Sequence, residues 1–87
     1  MKKVTIRALG TFNLKNKEYT LDENDISLKV FLTKYVLENT AQIDMFFPPD
    51  KSPAAYIIFV NGVIVTDGNY LIQNRDKVLI TSIMGGG

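Results

Sequence analysis

The 87-residue sequence contains no cysteine and no histidine. Without cysteine there is no disulfide framework, no thiolate metal site and no cysteine nucleophile. Without histidine, the commonest general base and the commonest transition-metal ligand are missing too. The expectation is therefore a non-enzyme with no bound cofactor and no metal, on which another protein performs the chemistry. Charge of one sign is also scarce: ten Lys and Arg stand against nine Asp and Glu, for a formal charge of +1. No run of like charges forms, so the electrostatic footprint of a nucleic-acid binder is missing. Apolar runs such as Ala54 to Val60 fall far short of the roughly 20 residues a membrane span needs. Met1-Lys2-Lys3 leads directly into a strand pattern, not into the apolar stretch of a signal peptide. These absences point to a soluble, cytoplasmic, single-domain protein that buries roughly 60 to 65% of its unfolded surface around one modest core.

What is present reads as alternating strands around one helix. Val4, Ile6 and Ala8 alternate with Thr5, Arg7 and Leu9, the period of a half-buried strand. A second strand is expected over Glu18 to Leu21, returning through a loop at 10–17 to make a hairpin. From Ser27, the residues Leu28, Phe31, Leu32, Tyr35 and Val36 recur at helical spacing, with Lys29, Thr33, Lys34 and Glu38 opposite. Asp25 or Ser27 can cap the start, and Asn39 can end it. Val30 and Leu37 widen the apolar arc, which predicts a helix packed along its length. Residues 40–55, carrying Pro48-Pro49-Asp50-Lys51-Ser52-Pro53, read as a loop because proline fits neither a helix interior nor a central strand. Tyr56 to Val60 and Val63 to Val65 flank Asn61-Gly62, the strongest short hairpin signal. A turn at 66–69, a connector at 70–75 and a last strand from Asp76 to Ile83 follow.

This order gives an α+β domain over residues 1–84, with one helix across a mixed sheet of four or five strands. One helix covers only one sheet face. Ile58 and Val60 alternate with Ile57 and Phe59, and Val78 and Ile80 with Leu79 and Thr81, so apolar side chains remain on the uncovered face whichever parity turns inward. Such a patch marks a partner site. Phe46 and Phe47 read as anchors for the proline loop. Arg7, Lys15, Lys17 and Arg75 read as solvated charges, and Asp22, Glu23, Asp25 and Asp44 as capping and solubilising residues.

The chain ends in Gly85-Gly86-Gly87, a tail without side chains that can thread a channel closed to other residues. With this tail, Val60-Asn61-Gly62 before Val63-Ile64-Val65, and Asp76-Lys77-Val78-Leu79-Ile80 opening the last strand, the chain resembles the ubiquitin-like (β-grasp) sulfur carriers of the ThiS/MoaD type. The likeness is most specific from Val78 to Gly87. It departs from the family at Asn74-Arg75-Asp76, where Gly-Asp is frequent, and at Met84-Gly85, where MoaD-like chains usually carry a proline.

The resemblance implies a carrier whose Gly87 carboxylate is adenylated by an ATP-using, ubiquitin-activating-like enzyme. The adenylate is then converted to a thiocarboxylate for a sulfur-accepting synthase in thiamine or molybdopterin cofactor biosynthesis. Lacking cysteine, the chain can carry such sulfur only on that carboxyl. Gly85 and Gly86 would give the tail clearance, and Ile57, Phe59, Leu79 and Met84 are the expected docking residues. Two alternatives stand beside it: a ubiquitin-like modifier conjugated through Gly87, and a non-covalent interaction domain that uses only the apolar face.

Overall fold

The computed structural model describes residues 1–9, 16–37, 39–50 and 52–82. Lys15, Glu38, Ile83, Met84, Gly85, Gly86 and Gly87, to which the sequence reading gives roles, lie outside these residues.

Strand β1 (Lys2–Leu9) pairs antiparallel with β2 (Lys17–Leu21), the expected hairpin. Alternation sorts the side chains: Val4 and Ile6 are buried while Thr5 and Arg7 are exposed. Strand β3 (Tyr56–Val60) turns at Asn61-Gly62 into β4 (Val63–Ile64). Asn61 has φ 54 and Gly62 φ 84, the two positive values a type I′ hairpin turn requires. The last strand, β5 (Lys77–Ser82), enters the middle of the sheet, parallel to β1 and antiparallel to β3. The result is a five-stranded mixed sheet in the order β2-β1-β5-β3-β4.

A short helix packs on this sheet, and its start is fully accounted for. Ser27 is extended at φ −77, ψ 158, and its Oγ accepts the Val30 N–H at 3.1 Å. The two preceding amides donate to carbonyls across the fold, Leu28 to Tyr70 at 2.7 Å and Lys29 to Gly68 at 3.0 Å. That approach explains the glycine at 68, where an added Cβ would lie 3.1 Å from Lys29 Cβ and 3.4 Å from Phe47 Cγ.

The helix departs from the expected uniform form. Only Leu28–Phe31, helix α1, is α-helical, and Leu32–Val36 widens into a π-helix closed by Leu37 N–H donating to Leu32 O at 2.8 Å. The Thr33 hydroxyl donates to Lys29 O at 2.8 Å, taking the acceptor that an α-helix reserves for Thr33's own amide. Leu28, Phe31, Leu32 and Val36 are buried as the periodicity requires. Packing along the whole wide arc does not hold: Val30 is 50% exposed, and Leu37 is buried because the chain there turns extended, at φ −85, ψ 128.

Residues 40–55 are not all loop. Thr40–Met45 form a 3-10 helix capped by Asn39, whose Oδ1 accepts the Ala41 N–H at 3.0 Å, so Asn39 opens this element instead of ending α1. Phe46 beyond it is buried and stacks on Tyr56 with ring centroids 5.0 Å apart, pinning the proline segment to β3. The core joins these layers: Val4, Ile6, Ile58, Val60, Val78 and Ile80 from the sheet meet Leu28, Phe31, Leu32 and Val36 from the helical segment. The fold is α+β with a short helix on a five-stranded mixed sheet, an arrangement compatible with a β-grasp.

Candidate functional site

The helical segment takes one parity of the central strands and leaves the other uncovered. Ile58, Val60, Val78 and Ile80 are buried beneath it. Ile57, Phe59 and Leu79, three of the four expected docking residues, have the opposite parity and are half-buried; Met84 lies outside the described residues. Register aligns them further: Ile64 pairs with Phe59, Phe59 with Leu79, and Leu79 with Arg7. A row of three apolar side chains thus crosses β4, β3 and β5 and meets a cation on β1. Ile57 stands one row away, beside Thr81.

A shallow groove of about 500 Å³ runs over the Phe59, Leu79 and Arg7 part of this row, lined by Thr5, Arg7, Phe59, Asn61, Lys77 and Leu79 among others, while Ile57 and Ile64 line a second groove. Its floor is apolar and two exposed cations, Arg7 and Lys77, border it. At the sheet edge Val63 and Ile64 are 65% and 55% exposed. The surface suits a partner that presents apolar side chains with carboxylates beside them.

Beside the groove, the β3–β4 turn is fastened to β5. Asn61 Nδ2 donates to Asp76 Oδ1, Asn61 Oδ1 accepts the Lys77 N–H, and Asn61 N–H donates to Lys77 O, each at 2.9 Å. Asp76 is only 3% exposed, and its other oxygen accepts the Tyr70 hydroxyl at 2.9 Å and the Gln73 N–H at 2.8 Å. Three donors thus compensate for its burial. The Tyr70 hydroxyl is raised above its ordinary value of 10.0, by burial first and then by this bond and the Asp76 charge. The backbone carbonyl of Asp76 accepts Thr5 N–H at 3.1 Å, so the same residue also ties β1 to the entry of β5.

The sequence marks Asn61 and Asp76 as features of the resemblance but gives no sign that they bond each other. Nor do Tyr70 and Gln73 stand out, since their role depends on the connector folding back over Asp76. Arg75 has φ 69, a left-handed conformation that glycine adopts without a Cβ penalty. Of the expected surface charges, Arg7, Lys17 and Arg75 are exposed, and Lys17 Nζ sits 4.9 Å from the Tyr19 ring centre.

Elsewhere, Glu23 accepts the Tyr35 hydroxyl at 2.5 Å and lies 3.5 Å from Lys34 Nζ, which also stands 5.4 Å from the Tyr35 ring centre. The second groove, of about 740 Å³, opens beneath the proline segment between Phe47, Tyr56, Val65 and Asp67. Among the described residues, no group of three or more acidic side chains converges as a metal site would require, and no helix is long and apolar enough to cross a membrane.

Compared with models of known protein families and with curated proteins, the chain matches none.

Proposed function

We propose that this protein is a carrier, activated through the carboxylate of Gly87 and loaded there with sulfur for cofactor biosynthesis. The observation that carries the reading is the sequence run Gly85-Gly86-Gly87, which begins three positions after the last residue of β5, Ser82. β5 is held on both sides, by β1 and β3, so whatever follows it leaves from a fixed strand at the sheet centre. A rigid base and a tail without side chains suit delivery of a carboxylate into another protein's channel.

In the proposed reaction a carboxylate oxygen of Gly87 attacks the α-phosphorus of ATP and pyrophosphate leaves. A sulfide-equivalent nucleophile supplied by the partner then displaces AMP from the acyl carbon, leaving a thiocarboxylate. The carrier contributes the acyl group and the docking surface, and the enzyme contributes the chemistry. Ile57, Phe59 and Leu79 form the proposed contact, with Arg7 and Lys77 bordering it beside Phe59 and Leu79. The sulfur acceptor is a separate synthase, and the carrier itself holds no cofactor in this scheme.

The reading requires Gly87 to be the last residue of the mature protein. Deleting Gly86 and Gly87 in the native host tests it: loss of the downstream cofactor, with the truncated protein still folded, is expected. A truncated protein that still supports function contradicts any role as acyl donor and leaves the apolar face as a non-covalent binding surface.

A further inference from the structure

Asn61-Gly62 is the sequence's only Asn-Gly pair, and it lies at an exposed turn. Nothing lies within 4 Å of the place where a Cβ would stand on Gly62. Gly62 thus has neither a side chain of its own nor packed neighbours on that side of its Cα to hinder an approach of the Asn61 side chain. That is the setting in which a backbone nitrogen attacks the preceding carboxamide. Here, however, both ends of the carboxamide are occupied, Nδ2 by Asp76 and Oδ1 by the Lys77 amide, each at 2.9 Å.

We propose that Asn61 is a self-modification site, restrained by its clamp on Asp76 and Lys77 and deamidating once that clamp opens. In the reaction the Gly62 nitrogen gives its proton to solvent base and bonds Asn61 Cγ. The Cγ–Nδ2 bond breaks and Nδ2 leaves as ammonia. Water then opens the cyclic imide at one of its two carbonyls, leaving aspartate or isoaspartate at position 61. The carboxamide must turn away from β5 to reach the nitrogen, so the rate follows the opening of the clamp.

The product cannot restore the bond to Asp76. A carboxylate replaces the donor that faced Asp76, placing two like charges at hydrogen-bond distance around a buried oxygen. An isoaspartate also lengthens the backbone within a two-residue turn whose φ values are matched to its strands. Either product loosens the tie between the β3–β4 turn and the entry of β5, by loss of the Asp76 bond. The inference is independent of any role for Gly87.

Incubating the whole chain in mildly alkaline buffer, folded and in denaturant, measures this directly. The peptide spanning Asn61-Gly62 is followed by the mass change of –NH2 to –OH. The folded protein is expected to deamidate at least about tenfold more slowly than the unfolded chain, the protection a local opening step confers. Asp76→Asn, which weakens the clamp at similar volume, should speed the folded reaction several-fold. Should that variant fail to fold, Asp76→Ser, which removes the carboxylate that holds Nδ2, takes its place. A faster rate supports the inference, and a rate equal to wild type overturns it. Equal rates in folded and denatured protein overturn it as well.

Discussion

The carboxamide of Asn61, in the β3–β4 turn, donates a 2.9 Å hydrogen bond to the buried carboxylate of Asp76 at the entry of β5. Two segments 15 residues apart are thereby joined by side chains as well as by the sheet ladder. Replacing Asp76 with alanine leaves the donors of Asn61, Tyr70 and Gln73 without their acceptor. A loss of about 3 kcal/mol is expected from stranding three donors in a largely buried place, read as a lowered denaturant midpoint. Asp76→Asn, which keeps the acceptor oxygen, should lose less.

Arg75 offers a test of backbone strain next to that node. Its φ of 69 carries a left-handed cost that glycine does not. Arg75→Gly should therefore leave stability unchanged or raise it by up to about 1 kcal/mol, against the usual direction of a glycine substitution. A clear loss in thermal midpoint would show that the arginine side chain, not the turn, is what the position requires.

The Glu23–Tyr35 bond predicts an acid limb in the stability profile. The Tyr35 hydroxyl, first, and Lys34 after it hold the Glu23 carboxyl below its ordinary 4.5, while its desolvation opposes them. The folded state thus binds this proton more weakly than the unfolded chain does. Its contribution is complete above pH 4.5 and is lost as pH falls from there through the folded value. Tyr35 itself is raised above 10.0 by the same bond, so at the alkaline end stability declines as pH climbs past that value. Tyr35→Phe should flatten the acid limb, measured as a smaller change in denaturant midpoint between neutral and acidic pH.

Much of this architecture is legible in residue order alone. Strand β1 announces itself because Val4 and Ile6 alternate with Thr5 and Arg7, and the β3–β4 turn because Asn-Gly supplies two residues tolerant of positive φ. The parity of β3 is different: Ile57-Ile58-Phe59-Val60 is apolar throughout, so only the packed helix decides which pair is buried. The π-helical widening leaves Leu28, Phe31, Leu32 and Val36 buried as an α-helix would, so periodicity does not register it. The 3-10 helix at Thr40–Met45 is likewise hidden, because it has no fully buried residue to create a stripe. Among site residues, strand period and a one-helix architecture give an uncovered apolar face, and the packed helix assigns Ile57, Phe59 and Leu79 to it. The bonds from Tyr70 and Gln73 to Asp76 join the connector to the base of β5, and only the folded arrangement brings them together.

On the uncovered face, Leu79 sits between Phe59 and Arg7 in the cross-strand row. Leu79→Lys adds a charge at a half-buried, outward position and should cost about 1.5 kcal/mol or less in stability. Its effect on activation should be larger: with the partner enzyme, kcat/KM is expected to fall more than about tenfold, as for a central interface residue. Unchanged kcat/KM would move the contact elsewhere, the exposed Val63–Ile64 edge being the next surface to test.

The central claim concerns the carboxyl of Gly87, and the intact mass of the protein isolated from its own cells tests it most directly. The account predicts a chain ending at Gly87, part of it heavier by the exchange of one oxygen for sulfur, with the excess located in the C-terminal peptide. A chain that continues past Gly87, or Gly-Gly remnants of this protein on lysines of other proteins with no thiocarboxylate, would contradict it.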